Sequence, residues 1–439
     1  MKRIIFLMLM LFPVLLMAKS GKQEIEFTEY TLDNGLHVIL HQDNSLPIVA
    51  VSITYHVGSK NEKADRTGFA HYMEHLMFEG SENIDRGEFF ELAQDAGGVI
   101  NAYTSHDKTL YYMLLPSNQL EMGLWMESER LMHLVIDEEG VETQRSVIKE
   151  ERSQMYDNRP YGAIMEETFR RAYKEHPYNW MPIGSVQYID QATLEEFREF
   201  HSTFYVPDNA VLTIAGDIDK KETKELIDMY FADIPKGDKP IYRPDVDEPP
   251  LGKEIRDTVY DPNIQMPAVI QAYRIPGMGE DDFYALDMLT TLLSSGESSR
   301  MYKSIVDEQE KALVVQSVPF QLEDPGLFLV FGVVNMGVDS ESLEKAINEE
   351  IEKVRKEGLT ELELQKLKNN KESSAVYNYA SLDRLADNLA NYHIFFGDAD
   401  LINTEIDRYM NVTIDDILRV ANEYLVPENR VVIYYLPEN

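Results

Sequence analysis

Alternation and periodicity along the chain predict a mixture of strands and helices. Two runs rich in Val, Ile and Leu, Glu26 to His41 and Ile48 to Val57, predict paired strands with Asp33-Asn34-Gly35 as a turn. From Gly68 to Glu79 the apolar residues Phe69, Tyr72, Met73, Leu76 and Met77 recur at helical spacing and give one apolar side. Glu88 to Asp95 predicts a short helix, Val99 to Ser105 and Leu110 to Leu115 predict strands, and Gln119 to Asn158 predicts two helices interrupted near Gly140. Further on, Ala268 to Tyr273 has a strand pattern, and Asp281 to Ser294 and Ser340 to Lys356 have helical ones. The charged run from Ser340 to Lys371 predicts a solvated helical face. Strands and helices mix without regular βα alternation, so the fold class is α+β.

The pattern also repeats. Thr193-Leu194-Glu195-Glu196-Phe197 leads into Val206-Pro207-Asp208-Asn209, and Thr413-Ile414-Asp415-Asp416-Ile417 leads into Val426-Pro427-Glu428-Asn429, every pair offset by 220 residues without a gap. Each copy predicts a capped helix, a Pro-containing turn and a strand. A shared core at half-chain spacing implies duplication, with two tandem α+β domains of about 210 residues each. The division follows from composition: 19–234 is one domain, the breaker-rich stretch 235–254 with its five prolines a linker, and 255–439 the second domain. Residues 1–18 carry Lys2-Arg3, an apolar run from Ile4 to Met17 broken only by Pro13, and Ala18, the order of a secretory signal peptide. About 14 apolar residues are too few for a membrane-spanning helix, so export to a periplasm or the exterior, without stable membrane insertion, is expected.

Composition narrows the chemistry. With 41 Lys+Arg against 77 Asp+Glu in 439 residues the net charge is −36, which disfavours nucleic acid and anionic membranes as partners. There is no cysteine, so thiol catalysis, iron–sulfur clusters and Cys-ligated zinc are excluded, and a metal site must use His, Asp or Glu. His71-Tyr72-Met73-Glu74-His75 supplies one. Four residues apart on a helix, both imidazoles reach a single ion, with Glu74 beside them. Two His and a carboxylate around an open position make a catalytic zinc site. The bland alternative is a pair of satisfied surface histidines. For the third ligand, Glu142, Glu150 and Glu151 all lie on the helix predicted after Gly140.

Residues Gly68 to Gly80, Gly97-Gly98-Val99-Ile100-Asn101-Ala102-Tyr103-Thr104 and Val147-Ile148-Lys149-Glu150-Glu151, together with the duplicated halves, resemble the pitrilysin/insulinase zinc peptidases with the inverted zinc motif, in particular bacterial two-domain relatives of the mitochondrial processing peptidase. The resemblance covers nearly the whole chain after the leader. It implies a clamshell of two domains, the first metal-bearing and the second metal-free, and one Zn²⁺ per chain held by His71, His75 and Glu151. Of the three acids only the resemblance selects Glu151. It implies Glu74 as general base for a water activated by the metal, hence endopeptidase cleavage of peptides or unfolded segments without an acyl-enzyme.

The resemblance further implies that the strand with Asn101 and Ala102 binds extended substrate by its edge, and that Arg300 engages substrate carbonyls. His106 reads as a surface or turn residue. Two departures stand out. Gln144 occupies a position where relatives carry a second Glu near the metal, and Leu313 stands where a substrate-binding Tyr is expected. They raise an alternative: a catalytic-type subunit, inactive alone, that pairs with a metal-free partner chain, or a peptide-binding module of little activity. A homodimer or heterodimer is therefore expected. Zinc storage is disfavoured, because Glu74 has no purpose there.

Overall fold

The computed structural model describes residues 24–438; the leader expected at 1–18 lies outside them. The first half contains β1 (Thr28–Thr31), β2 (His37–Gln42), β3 (Ile48–Tyr55), α1 (Phe69–Leu76), α2 (Glu88–Asp95), β4 (Val99–Thr104), β5 (Thr109–Pro116), α3 (Leu120–Met132), α4 (Glu138–Arg152), α5 (Ile164–Ala172), α6 (Val186–Gln191), α7 (Leu194–Phe204), β6 (Ala210–Gly216) and α8 (Lys220–Phe231). Residues 232–254 have no helix or strand. The second half contains β7 (Ile255–Asp261), β8 (Ala268–Ile275), α9 (Asp281–Ser294), β9 (Ala312–Phe320), β10 (Gly326–Val334), α10 (Ser340–Glu357), α11 (Glu361–Asn378), α12 (Leu382–Phe396), α13 (Leu401–Asn411), α14 (Ile414–Tyr424) and β11 (Arg430–Pro437).

The strands form two sheets, ordered β1-β2-β6-β3-β5-β4 and β7-β11-β8-β10-β9. The duplication is visible in this topology. In each sheet the last strand is inserted between two earlier ones, β6 parallel to β2 and antiparallel to β3, β11 parallel to β7 and antiparallel to β8. The repeated Thr residues, Thr193 and Thr413, close capping boxes with Glu196 and Asp416 at the starts of α7 and α14.

Three local expectations are corrected. The Asp33–Gly35 turn joins β1 to β2, whereas β3 is separated from β2 by β6, whose seven residues are all buried. The break in the predicted helical pair falls at residues 133–137, and Gly140 lies in the first turn of α4, where its N–H is capped by the Asp137 carboxylate at 2.8 Å. His106 does sit in a turn, but it is buried, its ring stacked on Phe169 with centroids 5.0 Å apart.

The central strands of each sheet are buried on both faces, and one face of each sheet is covered from the opposite half. On α12, Leu385, Leu389, Ala390 and Tyr392 cluster with Ile39 and Val211, and Ala386 with Ala50 and Ala215. Reciprocally, Ile164, Phe169 and Ala172 of α5 pack with Ile270, Leu329 and Ile433 of the second sheet. Charged groups close the seam. The Lys60 ammonium, 4% exposed, meets Asp107 and Asp324 at 3.1 Å each as well as Glu323, while Tyr103 and Lys108 both bond Asp387 of α12. Among the described residues no helix is long and apolar enough to cross a membrane.

Leu389→Ala should reduce the unfolding free energy by about 2–5 kcal/mol. Although Leu389 belongs to the second half, the loss should register in the urea midpoint of Trp125 and Trp180 fluorescence, both in the first half; an unshifted midpoint would contradict the interlock.

Candidate metal centre

Helix α1 is eight residues long and presents its apolar side inward, where Phe69 and Tyr72 meet Phe197 of α7 at centroid distances of 4.8 and 4.4 Å. A helix this short needs its first turn satisfied. Glu62, buried in the turn before it, does so: its carboxyl accepts the Gly68 N–H at 2.9 Å, the Ala70 N–H at 2.8 Å and the Trp180 indole N–H at 3.1 Å. Burial nonetheless pushes Glu62 up to about 8, against the pull of these donors. Gly68, at φ 97°, begins the helix beside Gly184, where an added Cβ would lie 2.3 Å from the Gly68 Cα. Only glycine tolerates this contact.

The outward side of α1 carries the ligating groups. His71 Nε2 lies 3.7 Å from Glu151 Oε1, and His75 Nε2 lies 3.3 Å from Glu151 Oε2. One ligating atom from each of the three falls within 4.8 Å of the others. Glu151 is on α4, on the face defined by Gln144 and Ile148, and α4 is tied to α1 by the Tyr72 hydroxyl donating to the Val141 carbonyl at 2.5 Å. The other two acids turn away: Glu150 is exposed and bonded to Gln154, and Glu142 pairs with Arg145. Immediately after Glu151, at Ser153–Asp157, the helix widens to a π turn.

The donor chemistry fits zinc. Two imidazole nitrogens and one carboxylate converge at a partly buried position, a donor set that zinc accepts. Desolvation, reinforced by the neighbouring His75, lowers His71 to about 4 and keeps it neutral. Glu151 is lowered, first by its bond with His75, and remains anionic. Glu74 is held by the Thr104 hydroxyl, which donates to Oε2 at 2.6 Å, while burial raises its carboxyl to about 7. A carboxyl poised near neutrality suits proton transfer in either direction.

Gln144 lies directly behind the centre. Its Oε1 is 3.0 Å from His75 Nδ1, and its Nε2 donates to Glu79 Oε1 at 2.5 Å; Arg86 in turn pairs with Glu79 Oε2 at 3.1 Å. The amide thus orients His75 and passes it the influence of a carboxylate one residue further out. Glu62, Glu79 and Thr104 carry no sequence signal of their own, because each acts across elements.

The remaining expected site residues are separately placed. Asn101 and Ala102 lie on β4, an edge strand paired only with β5. Thr104 points to Glu74, and Tyr103 to the opposite face of the sheet. There it lines a cavity of about 500 Å³ with Lys108, Asn391, Tyr392 and Glu405, away from the metal triad. Arg300 is held bidentately by Glu363 at 2.8 and 2.9 Å and also donates to the Gly358 carbonyl at 3.0 Å. Leu313, at the start of β9, is 55% exposed.

Comparison with known proteins gives the chain its family. Residues 37–180 match the family model described as Insulinase (Peptidase family M16), and residues 191–371 match the Peptidase M16 inactive domain. The chain is 32% identical to the zinc protease PqqE of Helicobacter pylori over 409 residues, covering 93% of this chain and 92% of that protein. The crystal structure of a protease from Helicobacter pylori superposes with a TM-score of 0.90 at 31% identity, covering 94% of this chain and all of that one. The fold also matches the periplasmic protease PqqL of Escherichia coli, with a TM-score of 0.78 at 19% identity, over 95% of this chain but 48% of PqqL. The chain therefore belongs to the pitrilysin/insulinase family, peptidase family M16, as a two-domain α+β clamshell.

Burial of Glu62 has a measurable consequence. Its folded value of about 8 exceeds the ordinary 4.5, so the native state binds the extra proton and stability contributed by this group falls as pH rises between those values. Glu62→Gln should flatten that part of the pH dependence of urea stability; a difference between wild type and variant that is constant from pH 5 to pH 8 would contradict it.

Proposed function

We propose that the chain is a zinc-dependent endopeptidase acting on peptides or unfolded polypeptide segments. The observation that carries this reading is the convergence of His71, His75 and Glu151 within 4.8 Å, with Glu74 on the same short helix. A zinc ion bound there would supply Lewis acidity, lowering the pKa of a coordinated water and polarising a peptide carbonyl. Glu74 takes the proton from the attacking water and returns it to the leaving amine. Gln144 fixes the ring of His75. The open edge of β4, at Asn101 and Ala102, offers backbone N–H and C=O groups to an extended substrate and is largely indifferent to its side chains.

A periplasmic location is part of this reading, supported by the signal-like order of Lys2-Arg3, the apolar run Ile4 to Met17 and Ala18. A second reading is favoured by one feature: Arg300 is engaged by Glu363 and Gly358, so a substrate clamp from the second half would have to come from elsewhere. In that reading the chain is the metal-bearing subunit of a homodimer or of a pair with a metal-free chain, and the two-fold greater length of PqqL is consistent with two such units working together.

Glu74→Gln should retain zinc while losing about 10²–10⁴-fold in peptide turnover, whereas His71→Ala should lose both. Metal content and turnover measured on the same preparations separate the cases, and a Glu74→Gln chain that still cleaves would refute the mechanism.

A further inference from the structure

A second cluster of ligating side chains lies where the β1–β2 hairpin meets the last turn of α12. Thr31 and His37 are directly opposite in the hairpin register, and Glu29 follows two residues along, so all three share one face. On α12, Leu385, Leu389 and His393 recur every four residues, and the two leucines pack against the first sheet. His393 is thereby delivered to the hairpin. His37 Nε2 lies 3.1 Å from Glu29 Oε2, His393 Nδ1 lies 4.0 Å from the same oxygen, and a ligating atom from each residue falls within 4.8 Å of the others. The two imidazoles stack with centroids 3.4 Å apart, and Thr31 Oγ1 sits 3.1 Å from His37 Nδ1, fixing the ring from behind.

A proton shared by His37 and Glu29 accounts for only part of this arrangement. It leaves His393 Nδ1 beyond hydrogen-bond distance of the carboxylate it approaches, and among the described residues no lysine or arginine is paired with Glu29. Three ligating atoms from three elements therefore converge without a cationic side chain between them. Two imidazoles and a carboxylate are a donor set for zinc or a similar divalent transition metal. The side chains are 42%, 13% and 29% exposed for Glu29, His37 and His393, which gives an ion a path in and room for water as a further ligand. Coordination requires the rings to tilt out of their stack.

We propose that Glu29, His37 and His393 form a second zinc site that clips α12 of the second half to the β-hairpin of the first. His393 is separated from His37 and Glu29 by more than 350 residues of chain, and the three span the seam where α12 covers the first sheet. Binding there stabilises only the assembled fold, since the unfolded chain does not bring them together.

The test is metal content of the full chain after equilibrium dialysis against buffered micromolar zinc, which does not depend on whether the chain hydrolyses peptides. Wild type should hold two zinc ions, and the His71→Gln/His75→Gln chain should keep one. Adding His393→Gln to that variant should remove the remaining ion. Zinc should also raise the thermal midpoint of the His71→Gln/His75→Gln chain, and Glu29→Gln should abolish the rise, which keeps the test open if the triple variant fails to fold. A His71→Gln/His75→Gln chain that binds no zinc, or zinc that survives His393→Gln, would overturn the proposal.

Discussion

The structure depends on one constraint: the central strands of each sheet have two buried faces, and their own half covers only one. Strand β6 states the problem most plainly, since all seven residues from Ala210 to Gly216 are buried. A strand apolar on both sides needs cover on both sides. The first sheet obtains it from α12 and the second from α5, so the halves fold as one interlocked body. Burial of this size outweighs the seam's ion pairs, whose role is to fix register and satisfy groups that the interlock has already removed from water.

That interlock reaches the candidate metal centre through a short path. Glu323 and Asp324 of the second half hold Lys60, which lies two residues before Glu62. Glu62 in turn satisfies the first turn of α1, the helix bearing His71, Glu74 and His75. The second half thus contributes to the candidate centre by fixing the turn from which α1 starts. Geometry of ligands held on rigid, capped elements is what a site needs if it is to bind metal without rearrangement.

Much of this was legible in the sequence because it is local. His71 and His75 four residues apart, the boundaries of α2 and α9, and the capping signals at Thr193 and Thr413 all follow from periodicity and residue type. The 220-residue repeat announced two similar sheets. What could not be read is non-local. Nothing near Ile48 shows that β6 separates β3 from β2, and nothing near Leu382 shows that α12 covers the other half's sheet. Glu62, Glu79 and Thr104 look like ordinary polar residues until the fold sets them beside α1. His106 looked like a turn residue and is one, but burial against Phe169 comes from an element 60 residues away. The choice among Glu142, Glu150 and Glu151 needed the rotation of α4 relative to α1, which no spacing within α4 supplies.

The proposed function is hydrolysis at a zinc site assembled within one chain. The measurement that tests it most directly is turnover of a mixed quenched-peptide library by the purified chain alone, with zinc supplied and with chelator as control. Cleavage that chelator abolishes and zinc restores is the result predicted. A chain that binds zinc at His71, His75 and Glu151 yet leaves the library intact would contradict it and assign the activity to an assembly with a partner.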